Sequence, residues 1–193
     1  MVRKNGHWTI KETNSKYKNH WIEVREDIVI RPDGKPGIFG IVNMKAGISV
    51  LPLDDKGFVY LTDEFHYAIE QNSIEVVSGA IDENEIPIDA AKRELKEELG
   101  IKAEEWIELG VVNPFTTAIK SPANLFLARK LVLGKSNQEG TENIKLVKIK
   151  FDDAVKMVMK SEITHGPSCI LILKTKEFLK KQPELERVER LGG

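Results

Sequence analysis

The order of apolar and polar residues along this chain predicts strands first, then a mixture of strands and helices. Residues 6–50 read as strands and turns, with Trp21-Ile22-Glu23-Val24-Arg25 alternating and Ile28-Val29-Ile30 continuously apolar. Arg31-Pro32-Asp33-Gly34-Lys35 has turn chemistry, because proline fixes φ and glycine accepts a positive φ. Phe39 to Val42 is then expected to return antiparallel. A boundary is expected near Asn43–Gly47, before a strand over Ile48–Leu53. Asp54-Asp55-Lys56-Gly57 predicts a hairpin turn with Phe58–Leu61 as the partner strand. Ile88, Ala91, Leu95 and Leu99 recur at helical spacing, which predicts a helix over 87–99 with Pro87 in its first turn and Gly100 as its terminator. Further strands are expected around Ile107–Val112, Leu125–Leu133 and Ile144–Lys150, and helices over Phe151–Lys160 and Ser168–Lys181. Gln182–Gly193 reads as a charged, frayed tail. The interleaving predicts an α/β or α+β core with helices on both sheet faces.

Composition narrows the class. The 193 residues amount to about one domain with an addition, and 41% hydrophobic with 31% charged residues is a soluble balance. Twenty-nine basic against thirty acidic residues leave a net charge of −1, which excludes a strongly basic nucleic-acid footprint. The single cysteine, Cys169, excludes an intrachain disulfide and a cysteine-rich zinc site, and fits a reducing cytoplasm. The longest apolar run, Cys169–Leu173, is far below the roughly 20 residues of a spanning helix, and the basic N-terminus has no apolar stretch behind it. The expectation is therefore a cytoplasmic protein with neither a membrane nor a nucleic acid as partner.

The candidate chemistry lies in Gly79–Ile101. On a helix of about 100° per residue, Glu94, Glu97 and Glu98 fall within an arc of roughly 100°, beside the apolar stripe. Like charges held that close raise one another's pKa unless a cation sits among them. Carboxylates without histidine or thiolate are hard ligands, which points to Mg²⁺ or Mn²⁺ rather than zinc. The three glutamates alone fit a solvated helix face better than a metal site, with Arg93 and Glu97 as an i,i+4 pair.

The spacing separates these readings. Gly79, Glu85, then Arg93-Glu94-Leu95-Lys96-Glu97-Glu98-Leu99-Gly100-Ile101 resembles the signature of the Nudix hydrolases at every position. The resemblance implies a Nudix-type α/β/α sandwich with a mixed sheet, here with an N-terminal antiparallel β appendage. It also implies cleavage of a nucleoside diphosphate linked to another group, by metal-activated water attacking phosphorus. Carried over by position, Glu94, Glu97 and Glu98 hold the metal, Arg93 orients them, and Glu85 braces the loop or helix. Gly79 permits the loop turn, and the Ser78 carbonyl is a further metal ligand.

Beyond the signature, Tyr17-Lys18-Asn19-His20-Trp21, Arg25-Glu26-Asp27 and Arg31-Pro32-Asp33-Gly34 resemble the N-terminal segment of the ADP-ribose pyrophosphatase subgroup. Asp63-Glu64-Phe65-His66-Tyr67 is similar to that group's Gln-Tyr-Arg-Tyr segment, with His66 where arginine is usual. Glu75-Val76-Val77-Ser78-Gly79 resembles its Glu-Leu-Pro-Ala-Gly, with Val77 for proline. Glu142-Asn143-Ile144-Lys145-Leu146 resembles its Glu-any-Ile-any-Val segment, so the resemblance implies completion of the metal site by Glu142 and substrate contacts from Trp21, His66 and Glu75; Glu139, on the same expected loop, is the candidate general base. The resemblance implies ADP-ribose or a related nucleoside diphosphate sugar as substrate. It also divides the chain into a 1–43 segment for homodimerisation, a 44–181 hydrolase domain and the 182–193 tail. The alternatives are a Nudix hydrolase of a GDP-sugar, dinucleoside polyphosphate or dinucleotide cofactor, and a non-catalytic nucleotide sensor. His7, His20 and His165 are not spaced as a metal set, Cys169 reads as core, and Lys174, Lys176, Lys180 and Lys181 as a solvated helix face.

Overall fold

The computed structural model describes residues 2–134 and 144–191, the side chains of 182–191 excepted. The chain forms two compact units: one of residues 1–46 with Asn113–Pro122, the other of Gly47–Val112 with Ala123–Gly193. Residues 113–122, read from sequence as part of the hydrolase domain, thus belong to the N-terminal unit.

In the first unit the strands β1 (Arg3–Asn5), β2 (Trp8–Lys18), β3 (Ile22–Ile30) and β4 (Pro36–Met44) form an antiparallel meander. Ile119–Lys120, a short strand reached much later in the sequence, adds parallel to β4. The Arg31–Lys35 turn forms, with Gly34 at φ 82° and its N–H donating to the Arg31 carbonyl at 3.0 Å. The two short strand signals at 21–25 and 28–30 are one continuous strand. Asp27, which interrupts the apolar pattern, is buried because the Thr13 hydroxyl donates to its Oδ1 at 2.6 Å.

The second unit continues with β5 (Gly47–Pro52), β6 (Phe58–His66), β7 (Gln71–Glu75), β8 (Val77–Ala80), α1 (Pro87–Leu99) and β9 (Ile101–Val112). After β10, which is Ile119–Lys120 of the other unit, come β11 (Ala123–Leu133), β12 (Lys145–Lys150), α2 (Phe151–Met159) and α3 (Gly166–Leu191). One sheet is mixed, in the order β8-β5-β11-β9, with β5 and β11 parallel; the other is antiparallel, in the order β12-β6-β7. Side chains of period two divide the interior into two cores. Ile48, Val50, Phe126 and Ala128 pack with Ala91, Leu95 and Leu99 of α1. Leu51, Leu125 and Leu127 pack with α2 and with Leu171 and Ile172 of α3. Helices therefore cover both faces of the mixed sheet.

Helix α1 has the bounds the apolar stripe predicted, and Gly100 ends it at φ 67° with its N–H on the Lys96 carbonyl. The Asp54–Gly57 turn forms as well, but it does not close a hairpin. The Leu53 N–H donates to Ala128 of β11 at 2.9 Å, and only a single bridge, Leu53 to Val59, joins the two arms among the described residues. Its arms enter different sheets, because β5 finds its partners in β8 and β11. The charged tail also differs from expectation: α3 runs on past Pro183 to Leu191, its last turns rich in glutamate, leucine and arginine, residues of high helix propensity. Lys174 is not simply solvated. Its Nζ donates at 2.6 Å to the Leu109 carbonyl, which lies in a bulge of β9 opposite Leu125, where Gly110 has φ 92°.

Leu95 has no exposed surface and locks α1 to the mixed sheet. Leu95→Ala is expected to destabilise the protein by about 2–5 kcal/mol, measured by chemical denaturation.

Candidate functional site

Helix α1 is fixed by its buried stripe, so the residues flanking that stripe are delivered to one place. Arg93 is the hub. Its Nε donates to Glu85 Oε1 at 3.0 Å and its Nη2 to Glu85 Oε2 at 2.9 Å, a bidentate pair. Nη2 also donates to the Ala80 carbonyl of β8 at 3.0 Å. Nη1 donates to Glu94 Oε1 at 2.7 Å and to Glu97 Oε2 at 3.2 Å. One guanidinium thus ties the loop acid, the strand end and two helix acids together. Its bonds to Glu85 above all, opposed by partial burial and reinforced by Glu94, hold Arg93 still more firmly in its charged form than usual. The same contact holds the Glu85 carboxyl below its ordinary value, against a smaller opposing effect of burial.

Gly79 lies in strand β8, opposite Ile48, and not in a turn. Its necessity is steric: a Cβ there would fall 2.1 Å from Glu94 Oε1. The turn-permitting role expected for it is therefore corrected to one of close approach. Ser78 pairs with Ser49 across β5, their hydroxyls 3.1 Å apart. Glu98 is buried at 7% relative exposure, one helical turn from Glu94.

Among the described residues no three His, Cys, Asp or Glu side chains converge tightly enough to hold a metal as they stand. The donor chemistry nevertheless fits a hard dication. Glu94 and Glu97 meet on a cationic nitrogen, with Glu98 beside them on the same helix. Glu139 and Glu142 lie outside the described residues.

A second constellation surrounds Glu75, at the end of β7. Its Oε1 is 3.1 Å from His66 Nε2 and its Oε2 is 2.9 Å from His165 Nδ1. Burial pushes the Glu75 carboxyl up, but His165, Ser73 and His66 outweigh it and hold the group below its usual value. The structure thus joins His66 and Glu75, and adds His165, which sequence spacing had set aside. Nothing in the local pattern marks His165; it reaches Glu75 only because α3 packs where it does. Trp21, in the other unit, is 60% exposed and stands edge-on to His20 with ring centroids 4.9 Å apart.

Comparison with known proteins adds the following. Residues 8–42 match the family described as nucleoside diphosphate sugar hydrolase N-terminal domain, and residues 44–155 match the NUDIX domain. An ADP-ribose pyrophosphatase of Bacillus subtilis (strain 168) is 26% identical over 161 residues, covering 81% of this chain and 86% of that one. A methanol dehydrogenase activator of Bacillus methanolicus is 24% identical over 180 residues, 89% of this chain and 95% of the relative. A crystal structure of an ADP compounds hydrolase superposes with a TM-score of 0.81 at 18% identity, over 93% of this chain and 98% of that one. Among the described residues no helix is long and apolar enough to cross a membrane.

Gly79→Ala is expected to drive Glu94 off Arg93 and to cost about 1–3 kcal/mol, read by thermal denaturation. The Glu85–Arg93 pair also predicts a pH dependence. Folding lowers the Glu85 pKa from 4.5, so its stabilisation is complete above pH 4.5 and is lost as pH falls through the lower, folded value. The stability difference between wild type and Glu85→Gln should be flat at neutral pH and shrink below pH 4.5 in denaturation curves taken across pH.

Proposed function

The chain belongs to the Nudix family, and from that premise we propose that it hydrolyses the diphosphate linkage of ADP-ribose or a related nucleoside diphosphate sugar. The products are a nucleoside monophosphate and a sugar phosphate. The observation that carries this reading is the Arg93 network, which gathers Glu85, Glu94 and Glu97 beside a buried Glu98. The substrate class is supported by the N-terminal match over residues 8–42 and by the Bacillus subtilis relative.

In this reading Glu94, Glu97 and Glu98 hold a divalent cation, Mg²⁺ or Mn²⁺, with the Ser78 carbonyl and Glu142 as further oxygen donors. Such a cation supplies polarisation of a water and neutralisation of the diphosphate charge. Arg93 keeps Glu94 and Glu97 from swinging apart, and Glu85 and the Ala80 carbonyl keep Arg93 in place. Glu139 takes the proton as the water oxygen bonds to phosphorus and the bridging P–O bond breaks. His66 and Glu75 are the substrate contacts in the second unit, and Trp21 is the base-stacking aromatic of the first. Two copies associate through residues 1–43, and the protein acts in the cytoplasm.

The test is mass spectrometry of ADP-ribose incubated with the protein and Mg²⁺ in ¹⁸O-labelled water. AMP and ribose 5-phosphate are expected, one of them labelled, and a chelator should abolish both. Glu98→Gln should lower turnover at least about 100-fold while the melting temperature stays near wild type. Survival of ADP-ribose would overturn the substrate assignment, and near-normal turnover in Glu98→Gln the role of that glutamate.

A further inference from the structure

Side chains from three distant parts of the chain meet where β7 gives way to β8. His165, the residue before α3, places Nδ1 2.9 Å from Glu75 Oε2 and 2.8 Å from Ser168 Oγ. Ser168 Oγ accepts the Val76 N–H at 3.0 Å. His66, at the end of β6, holds the other oxygen of Glu75. Ser168 has no exposed surface, and His165 uses one ring nitrogen for both of its contacts. A nucleophilic relay needs an accessible hydroxyl and opposite ring nitrogens, so this arrangement is not one. It is a clamp: the first turn of α3 grips the side chain of Glu75 and the main chain of Val76.

The clamp bears on the residues that follow. Val77, Ser78 and Gly79 form the strand against which Glu94 rests, and Gly79 has no room for even a Cβ beneath that carboxylate. Glu94 rests close over the Cα of Gly79, so the position of β8 sets the floor on which that side chain lies. An ionised carboxylate only accepts hydrogen bonds, so His165 donates from Nδ1 to Glu75, which excludes the ring form protonated on Nε2 alone.

We propose that His165 is a positioning residue of the hydrolase, acting with Ser168 through Glu75 and Val76 to hold β8 in place under Glu94. The proposal rests on the reading of Glu94 and its neighbours given above. Its effect reaches kcat through the strand beneath Glu94 and KM through Glu75, itself proposed as a substrate contact.

Two measurements need no substrate. Side-chain ¹⁵N spectra of the wild type should show His165 with its proton on Nδ1, and the Val76 amide should exchange slowly. A proton on Nε2 alone, or an unprotected Val76 amide, overturns the clamp, even if His165→Ala does not fold. Among variants, His165→Ala removes the donor, whereas His165→Asn returns an N–H near the Nδ1 position. With ADP-ribose, His165→Ala is expected to lower kcat about tenfold and to raise KM as Glu75 loosens, alongside faster Val76 exchange. His165→Asn should recover most of both. Wild-type kcat and exchange in His165→Ala, or failure of asparagine to rescue, would overturn the proposal. If the wild type does not cleave ADP-ribose, the substrate reading fails while the tautomer and the exchange rates still judge the clamp.

Discussion

The shared guanidinium of Arg93 is the constraint on which the site depends. Glu94 and Glu97 lie one turn apart on a helix pinned by its buried face, and neither can retreat far from the other. Arg93 Nη1 donates to both, while the remaining donors take Glu85 and the Ala80 carbonyl. Its planar fork has enough donors to satisfy a loop, a strand end and a helix at once, which a lysine lacks. The loop between β8 and α1 is held by this side chain together with its own turn, in which the Asp82 N–H donates to Glu85 Oε2 and the Glu85 N–H to the Asp82 carbonyl.

That arrangement needs a rigid base, and the two cores supply it. Strands β5 and β11 alternate strictly, sending Ile48, Val50, Phe126 and Ala128 to α1 and Leu51, Leu125 and Leu127 to α2 and α3. Helix α1 therefore cannot rotate without unpacking Leu95, and β8 cannot slide without breaking its ladder with β5. Packing is in this sense part of the chemistry. The positions of the carboxylates follow from apolar side chains that never touch a substrate.

The same division explains why Glu75 is held from two directions. It ends β7 in the antiparallel sheet, one residue before the chain enters β8 of the mixed sheet. A residue at such a junction has no continuous ladder on both sides. Its neighbour Val76 finds a partner for its N–H in a side chain, Ser168, rather than in a strand. The clamp from α3 supplies there what a sheet would supply elsewhere.

The features legible along the chain are local ones. The helix over 87–99, its glycine terminator, the turns at 31–35 and 54–57 and the spacing of Arg93 with its glutamates depend on neighbours within a few residues, where periodicity and turn chemistry act. The signature rests on the same short-range pattern, while the family likeness itself extends over residues 8–42 and 44–155. Tertiary structure decided the pairings: that β5 leaves its turn partner for β11, that Ile119–Lys120 joins the N-terminal sheet, that Gly79 is demanded by a carboxylate rather than by a turn, and that His165 meets Glu75. Each of these sets residues far apart in the chain against one another. Their energy comes from hydrogen bonds and packing that exist only after the core has closed, and no local periodicity encodes them.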